Sequence, residues 1–68
     1  MANVYKVTEI VGCSSTSFTH AVQEAVRRAS TTIRHLGWFE VTEQRGLIKD
    51  GQVAEFQVKV KLGFKLEE

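Results

Sequence analysis

The residues with the clearest chemical potential are one indole and one side-chain amide that stand among charged residues. Trp38 is the only tryptophan, and such an indole either packs at a subunit contact or stacks on a planar ligand. Gln57 lies among Lys and Glu, where it is either a solvated residue or a hydrogen-bonding group with one acceptor and two donors. Together, the indole and the amide indicate a site for a planar ring with a pyrimidine-like edge.

Two sets of cations extend this candidate site. Arg45 and Lys65 are either ordinary surface charges or contacts for a phosphate or a ring. A second basic set is either a solvated flank of a helix or an anion site, and it consists of Lys6, Arg28 and Arg34.

Patterns typical of catalysis or metal binding are weak. Cys13 is the only cysteine and has no paired base in the sequence, so a buried structural thiol is favoured over an activated nucleophile. His20 and His35 form no metal motif, and no Ser/His/Asp set, carboxylate pair or phosphate loop is recognisable. The sequence therefore predicts a binding protein, with neither a catalytic site nor a metal.

Hydrophobic periodicity predicts the first two elements that position these residues. Residues 5–11 are rich in β-branched and aromatic types that alternate, which predicts a strand ended by Gly12. A cluster of serine and threonine follows and offers candidates for a helix N-cap. Apolar residues then recur at three- and four-residue spacing over 18–36, which predicts an amphipathic helix of about five turns that ends at Gly37.

The second half of the chain predicts a β-hairpin. Residues 38–42 alternate with period two, and the Asp50-Gly51 pair favours a type I′ turn between two antiparallel strands. Even-numbered residues over 54–64 are apolar, so one face of the last strand should cover the helix. The predicted fold class is α+β, with the order β-α-β-β, a three-stranded antiparallel sheet wrapped around one helix, and residues 1–68 as a single domain.

An irregularity in the second strand bears on the candidate site. Strict alternation would place Arg45 on the core side, which is costly for a guanidinium, and Gly46 suggests a bulge that turns Arg45 outward. Trp38 is next to Phe39 in the strand, so its side chain should point away from the core, to the face that carries Gln57. An exposed aromatic of this size needs a partner.

Length and composition limit the classes of protein that fit. A chain of 68 residues buries only about 60% of its unfolded surface, and its single cysteine excludes an intrachain disulfide, so we expect self-association. No apolar run approaches the roughly 18 residues of a membrane span, and the N-terminus lacks signal-peptide features, so we expect a cytoplasmic protein. A net charge of +1 is too weak for a general nucleic-acid footprint.

Several short motifs, in a fixed order along the whole chain, carry a family resemblance. They are Glu9-Ile10-Val11-Gly12, Trp38-Phe39-Glu40-Val41, Arg45-Gly46, Asp50-Gly51, Phe56-Gln57-Val58 and Gly63-Phe64-Lys65-Leu66-Glu67-Glu68. Each motif alone is weakly specific, but their order and spacing cover nearly all residues. The chain resembles the bacterial dodecins, a family of small flavin-binding proteins.

The resemblance implies an assembly and a site. It implies a hollow homododecamer of cubic symmetry, with pairs of flavins held at two-fold axes between symmetry-related tryptophans, and Trp38 occupies the matching position. It also implies that Gln57 hydrogen-bonds the pyrimidine-like edge of the flavin, and that Arg45 and Lys65 line the site near ring and phosphate. The implied role is flavin storage, sequestration and quenching of the excited flavin, without turnover.

The resemblance also bears on the choice of ligand. Arg45 favours a phosphorylated flavin such as FMN over riboflavin or lumichrome and leaves FAD open, whereas Lys65 stands where arginine is frequent and keeps the charge without the planar contacts. Gly37 stands where Asp or Asn is often seen, and Cys13 replaces a usual Thr. Some members hold coenzyme A near a three-fold axis, which implies a second anionic site formed by Lys6, Arg28, Thr32 and Arg34.

Two other functions remain open from the sequence. A nucleic-acid or partner-binding β-sheet module would use Trp38 with the Lys59 and Lys61 face, and would need several exposed aromatics and steep salt dependence. A flavin-dependent oxidoreductase would need substrate access to the ring, which stacking from both sides leaves little room for.

Overall fold

The computed structural model describes residues 2–67, and its elements follow the predicted order. Strand β1 (Tyr5–Ser14) leads to helix α1 (Phe18–Ala29), which is followed by the strands β2 (Leu36–Lys49) and β3 (Gln52–Lys65). Both strand pairings are antiparallel, and the sheet order β1-β3-β2 places β3 in the centre. The predicted β-α-β-β order and the α+β class are confirmed.

The hydrophobic core lies between α1 and the middle of β3. The largest fully buried side chains all belong to β3, and they are Val58, Val60 and Leu62. The helix contributes small side chains at four-residue spacing, which lie on one helix face: Ala21, Ala25 and Ala29. The prediction that the apolar face of the last strand covers the helix is confirmed.

Gly12 does not end β1, which continues to Ser14. The helix passes close over this glycine. A Cβ atom built on Gly12 would overlap the carbonyl oxygen of Ala21 and lie 2.9 Å from the Cβ of Ala25. The predicted end of the strand at Gly12 is therefore wrong, because the glycine serves helix–strand packing and not chain reversal.

We expect Gly12→Ala to lower the free energy of unfolding by about 1–3 kcal/mol, since the added methyl group meets helix backbone that cannot move independently. Urea unfolding of the ligand-free protein, followed by circular dichroism, measures this change. Ser15→Ala, at an exposed neighbouring position, is the control and should leave the midpoint nearly unchanged. An unaltered midpoint for Gly12→Ala would show that the close approach is not maintained in solution.

Helix α1 is shorter than predicted and ends at Ala29. The hydroxyls of Ser30 and Thr31 donate to carbonyl oxygens three residues earlier, at 2.8 and 2.7 Å, and such bonds compete with helix propagation. Between α1 and β2, the residue with a left-handed backbone conformation is His35, with φ of 63°. Gly37 lies within β2 and does not end the helix. The prediction of about five turns ended at Gly37 is therefore wrong. At 12 residues α1, the one helix within residues 2–67, is too short to cross a membrane.

The β2–β3 hairpin is confirmed, and its turn has the predicted chemistry. Asp50 and Gly51 have φ values of 54° and 75°, as both central residues of a type I′ turn require. Beyond the turn, a bulge in β2 determines which side chains share a face. Thr42 is an extra residue between the paired positions of Val41 and Glu43, and its hydroxyl donates to a β3 carbonyl at 3.2 Å.

The bulge at Thr42 turns Arg45 away from the helix. Val41 lies opposite a buried β3 residue, but Arg45 lies opposite Gln57, on the other face of the sheet. The outward direction predicted for Arg45 is therefore confirmed. The predicted place of the bulge is wrong, because Gly46 is regularly paired with β3.

The chain is extended for its size. Its dimensions are 53 × 20 × 13 Å, and its radius of gyration of 14.1 Å exceeds the roughly 11 Å of a compact chain of this length. Its accessible surface of 5146 Å² exceeds the roughly 4,300 Å² of a compact protein of this mass. Phe39 lies on the helix side of β2 and is still 53% exposed. This much open apolar surface favours association with further copies.

Candidate ligand-binding site

The face of the sheet opposite α1, called the outer face below, carries all four residues of the predicted ring site. Cross-strand partners point to the same side of a sheet, so the register assigns the members of this face. On β1 and β2 they include Tyr5, Val7, Glu9, Val11, Cys13, Trp38, Glu40, Glu43, Arg45 and Leu47, and on β3 they include Glu55, Gln57, Lys59, Lys61, Gly63 and Lys65.

The indole of Trp38, a β2 residue, lies over β3 at Gly63, which has no side chain. Gly63 is its cross-strand partner, and a Cβ atom built on Gly63 would overlap the indole ring. The Tyr5 ring is a neighbour, with its centroid 6.3 Å from that of Trp38 and the two planes inclined by 48°. Trp38 is 42% exposed, so the indole is supported from below and open to a planar partner.

Gln57 lies in a directional row of hydrogen bonds across the hairpin. Arg45 Nε donates to Gln57 Oε1 at 2.9 Å, and Gln57 Nε2 donates to Glu55 Oε1 at 2.8 Å. Arg45 Nη1 donates to Glu43 Oε1, also at 2.9 Å. An amide has two acceptor positions and two N–H groups, so each end of Gln57 keeps one for a ligand after these bonds.

Cys13 lies opposite Gln57 on the neighbouring strand and is exposed, so the predicted burial of this thiol is wrong for the single chain. Desolvation by neighbouring atoms, and then the charge of Glu55 and a hydrogen bond with it, raise the pKa of the Cys13 thiol, while Arg45 acts in the opposite direction. The thiol is therefore protonated at neutral pH, which is unlike an activated nucleophile.

The four predicted residues share the outer face but occupy its two ends. Trp38 lies beside Gly63, six residues along β3 from Gln57, which corresponds to about 20 Å at about 3.3 Å per residue. Lys65 lies at the indole end, two residues beyond Gly63, and Arg45 lies at the amide end, opposite Gln57. One chain thus builds two half-sites, an indole end and an amide end.

The second basic set is only partly brought together. Arg28 and Thr32 line one groove of about 470 Å³, next to Cys13, and Thr32 and Arg34 line another of about 460 Å³. Lys6 belongs to the lining of neither groove and lies opposite Phe64, on the helix side of the sheet. Both arginines have acidic neighbours, with Arg28 Nε 4.0 Å from Glu24 and Arg34 Nη1 3.8 Å from Glu67.

Sequence reasoning did not single out three residues that shape the site. Gly63 carries the indole, Tyr5 flanks it, and Glu55 holds the Gln57 amide. An isolated glycine inside a long strand is a usual sign of close approach, and this signal was available for Gly63. Within residues 2–67, no three His, Cys, Asp or Glu side chains are grouped so as to hold a metal ion.

Comparison with known proteins gives one consistent family. The model of the Dodecin family matches residues 4–67. A protein named Dodecin from Thermus thermophilus is 50% identical over 68 residues, which cover 100% of this chain and 99% of that protein. The structure of dodecin from Streptomyces coelicolor has 59% identity and a TM-score of 0.93, and covers 97% of this chain and 94% of that chain.

A more distant relative has a metal in its name. Calcium dodecin from Mycobacterium tuberculosis is 33% identical over 64 residues, which cover 94% of this chain and 90% of that protein. The structure of that protein, described as a calcium-chelating immunodominant antigen with a novel calcium-binding site, has a TM-score of 0.81 to this chain.

Proposed function

Because this chain belongs to the dodecin family, we propose that it binds, stores and sequesters flavin, with FMN as its preferred ligand. The composition of the outer face supports this proposal most. It carries an open indole on a glycine platform and an amide with one free donor and one free acceptor. These are the two contacts that a planar ring with a polar edge requires.

The residues present fit a flavin by shape and by hydrogen bonding. When bound, a flavin supplies a planar redox-active ring whose pyrimidine edge has an N–H between two carbonyl groups. Trp38 stacks on the face of that ring, which contributes about 1–3 kcal/mol by analogy with base–aromatic stacking. Gln57 accepts from the ring N–H and donates to an adjacent carbonyl.

A complete site takes two chains. Trp38 and Gln57 are about 20 Å apart along β3, so we propose that a ring on Trp38 of one chain meets Gln57 of a two-fold related chain. The extended shape and the open apolar surface support self-assembly. We propose the homododecamer expected from the family resemblance, with flavin pairs at its two-fold axes.

The charges of the site suit a phosphorylated flavin. The Arg45 guanidinium has five N–H groups, two of which bind Gln57 and Glu43. Others are free for a phosphate or a ring carbonyl. Lys65, exposed at the indole end, adds a mobile positive charge. FMN carries the phosphate that riboflavin and lumichrome lack and is smaller than FAD.

Sequestration without turnover follows from the stacking contact. With a flavin bound, Trp38 would hold the ring face and would be placed to give an electron to the light-excited ring and to take it back afterwards. Such an exchange would suppress emission and photochemical damage, and it would need neither a catalytic base nor a second substrate. We therefore propose a binding protein and not an oxidoreductase.

The sequence suggests two further ligands, coenzyme A and nucleic acid. We propose coenzyme A as a ligand of the second basic set, and two grooves support this. Thr32 lines one groove together with Arg28 and the other together with Arg34. Nucleic acid is disfavoured although Tyr5 adds a second aromatic to the outer face, because the basic stripe of that face is interrupted. Lys61 lies between Glu9 and Glu40, and Lys59 lies opposite Glu43.

Identification of the native ligand tests the proposal. The protein is purified in the dark and denatured, and the released chromophore is identified by mass and absorption spectrum. We expect FMN. A released ligand without a flavin ring would contradict the proposed function, whereas riboflavin or FAD would contradict only the preference for FMN.

A further inference from the structure

We propose that Glu55 is a positioning residue that fixes the orientation of the Gln57 amide and so determines which ring edge Gln57 recognises. This inference rests on the proposed flavin-binding function and names a residue that acts through Gln57 and not on the ligand itself. It follows from the chemistry of the two groups that bind the amide.

The two neighbours of Gln57 permit only one amide orientation. The Arg45 guanidinium has donors only, and the Glu55 carboxylate has acceptors only. Oε1 of Gln57 therefore lies toward Arg45, at 2.9 Å from Nε, and Nε2 lies toward Glu55, at 2.8 Å from Oε1. A flipped amide would set N–H groups against N–H groups and oxygen against oxygen, and would lose both charge-assisted bonds.

Both neighbours are themselves held in place. Glu55 is partly buried and lies two residues from Gln57 on the same strand face. Arg45 is held on its other side by Glu43, at 2.9 Å. In the row Glu43–Arg45–Gln57–Glu55, Arg45 donates to both of its neighbours and Gln57 donates to Glu55. This order of donors and acceptors fixes the orientation of the Gln57 amide.

A fixed amide is selective where a free amide is not. One lone pair on Oε1 and one N–H on Nε2 remain, in a fixed order, and this order matches a ring N–H next to a carbonyl. A ring whose N–H is replaced by N–CH₃ offers no donor and leaves the acceptor unpaired. Without Glu55, Gln57 can rotate away from the methyl group, so discrimination between the two rings should weaken.

The test compares FMN with FMN methylated on the ring nitrogen between the two carbonyls. In the wild-type protein we expect the methylated ligand to bind at least about tenfold more weakly. In Glu55→Ala the ratio of the two dissociation constants should fall at least threefold, with a smaller fall in Glu55→Gln. Asp50→Asn, at the hairpin turn, removes the same charge far from Gln57 and should leave the ratio unchanged.

An unchanged ratio in Glu55→Ala would overturn the proposal, even if both affinities fell together, because equal losses indicate a merely structural role. A ligand-free measurement separates this outcome from failure of the proposed function. With nitrogen-15 in the side chains of the four glutamines, one amide proton of Gln57 should exchange slowly with solvent in the wild-type protein and rapidly in Glu55→Ala. Equal exchange in both proteins would overturn the proposal whether or not flavin binds.

Discussion

Replacing Trp38 with alanine is expected to weaken FMN binding by about 10- to 100-fold and to abolish most of the fluorescence quenching. The indole is the one large aromatic face that lies open above Gly63, and stacking of this kind is worth about 1–3 kcal/mol. Titration of FMN with protein, followed by flavin emission, measures both the dissociation constant and the quenching at saturation.

Two controls isolate the stacking contact. Trp38→Phe keeps a smaller aromatic face and should give an intermediate affinity. Light scattering of each ligand-free variant shows whether the assembly persists, so that a loss of binding is not mistaken for a loss of subunit association. An FMN dissociation constant within twofold of wild type in Trp38→Ala would exclude this residue as the ring platform.

Gly63→Ala is expected to weaken FMN binding at least tenfold without any change to a residue that contacts the ring. The added methyl group would occupy the position of the indole, so Trp38 must leave its platform. Alanine is acceptable in a strand, and the methyl group points to the outer face, away from the core residues Val58, Val60 and Leu62. Flavin titration and the emission maximum of Trp38 measure the displacement.

A double-mutant cycle identifies the route of this effect. If the methyl group acts only by moving the indole, Gly63→Ala should have little further effect on FMN affinity in a Trp38→Ala background. Additive losses in the double variant would mean that Gly63 contributes to binding in some other way, and the platform interpretation would then be wrong.

The strands and the hairpin could be predicted because their signals are local. Period-two alternation in β3 places its apolar residues toward the helix, and the Asp50-Gly51 pair specifies a turn in which both residues have positive φ. Ser17 caps the helix as its residue type favours, with its Oγ accepting the backbone N–H of His20 at 3.0 Å.

The end of the helix could not be predicted from periodicity alone. Ile33 and Leu36 continue the apolar spacing, but they pack against the core from the chain after the helix. The contrary signal was the run of hydroxyl residues from Ser30, whose side chains bind helix carbonyl groups. Apolar residues at helical spacing indicate which side chains are buried. They do not show whether the backbone at those positions is a helix or a turn.

The candidate site was predictable in its members but not in its arrangement. The alternation of side chains along β2 is enough to place Trp38 on the outer face. The position of Arg45 depends on the bulge at Thr42, and the residue type at that position does not indicate a bulge. The distance between Trp38 and Gln57 follows from strand register, which a sequence without its pairing partners does not reveal. The roles of Gly63 and Glu55 depend on their neighbours in the fold, which are the Trp38 indole and the Gln57 amide.

The most direct test of flavin binding across two chains is a mixing experiment with complementary variants. Trp38→Ala chains and Gln57→Ala chains are unfolded together, refolded as a mixture, and titrated with FMN. Shared sites restore wild-type affinity in about a quarter of the sites, because random pairing gives half of the pairs one intact site of two. We expect this tight fraction, and a mixture that binds no better than either variant alone would show that the site does not form between two chains.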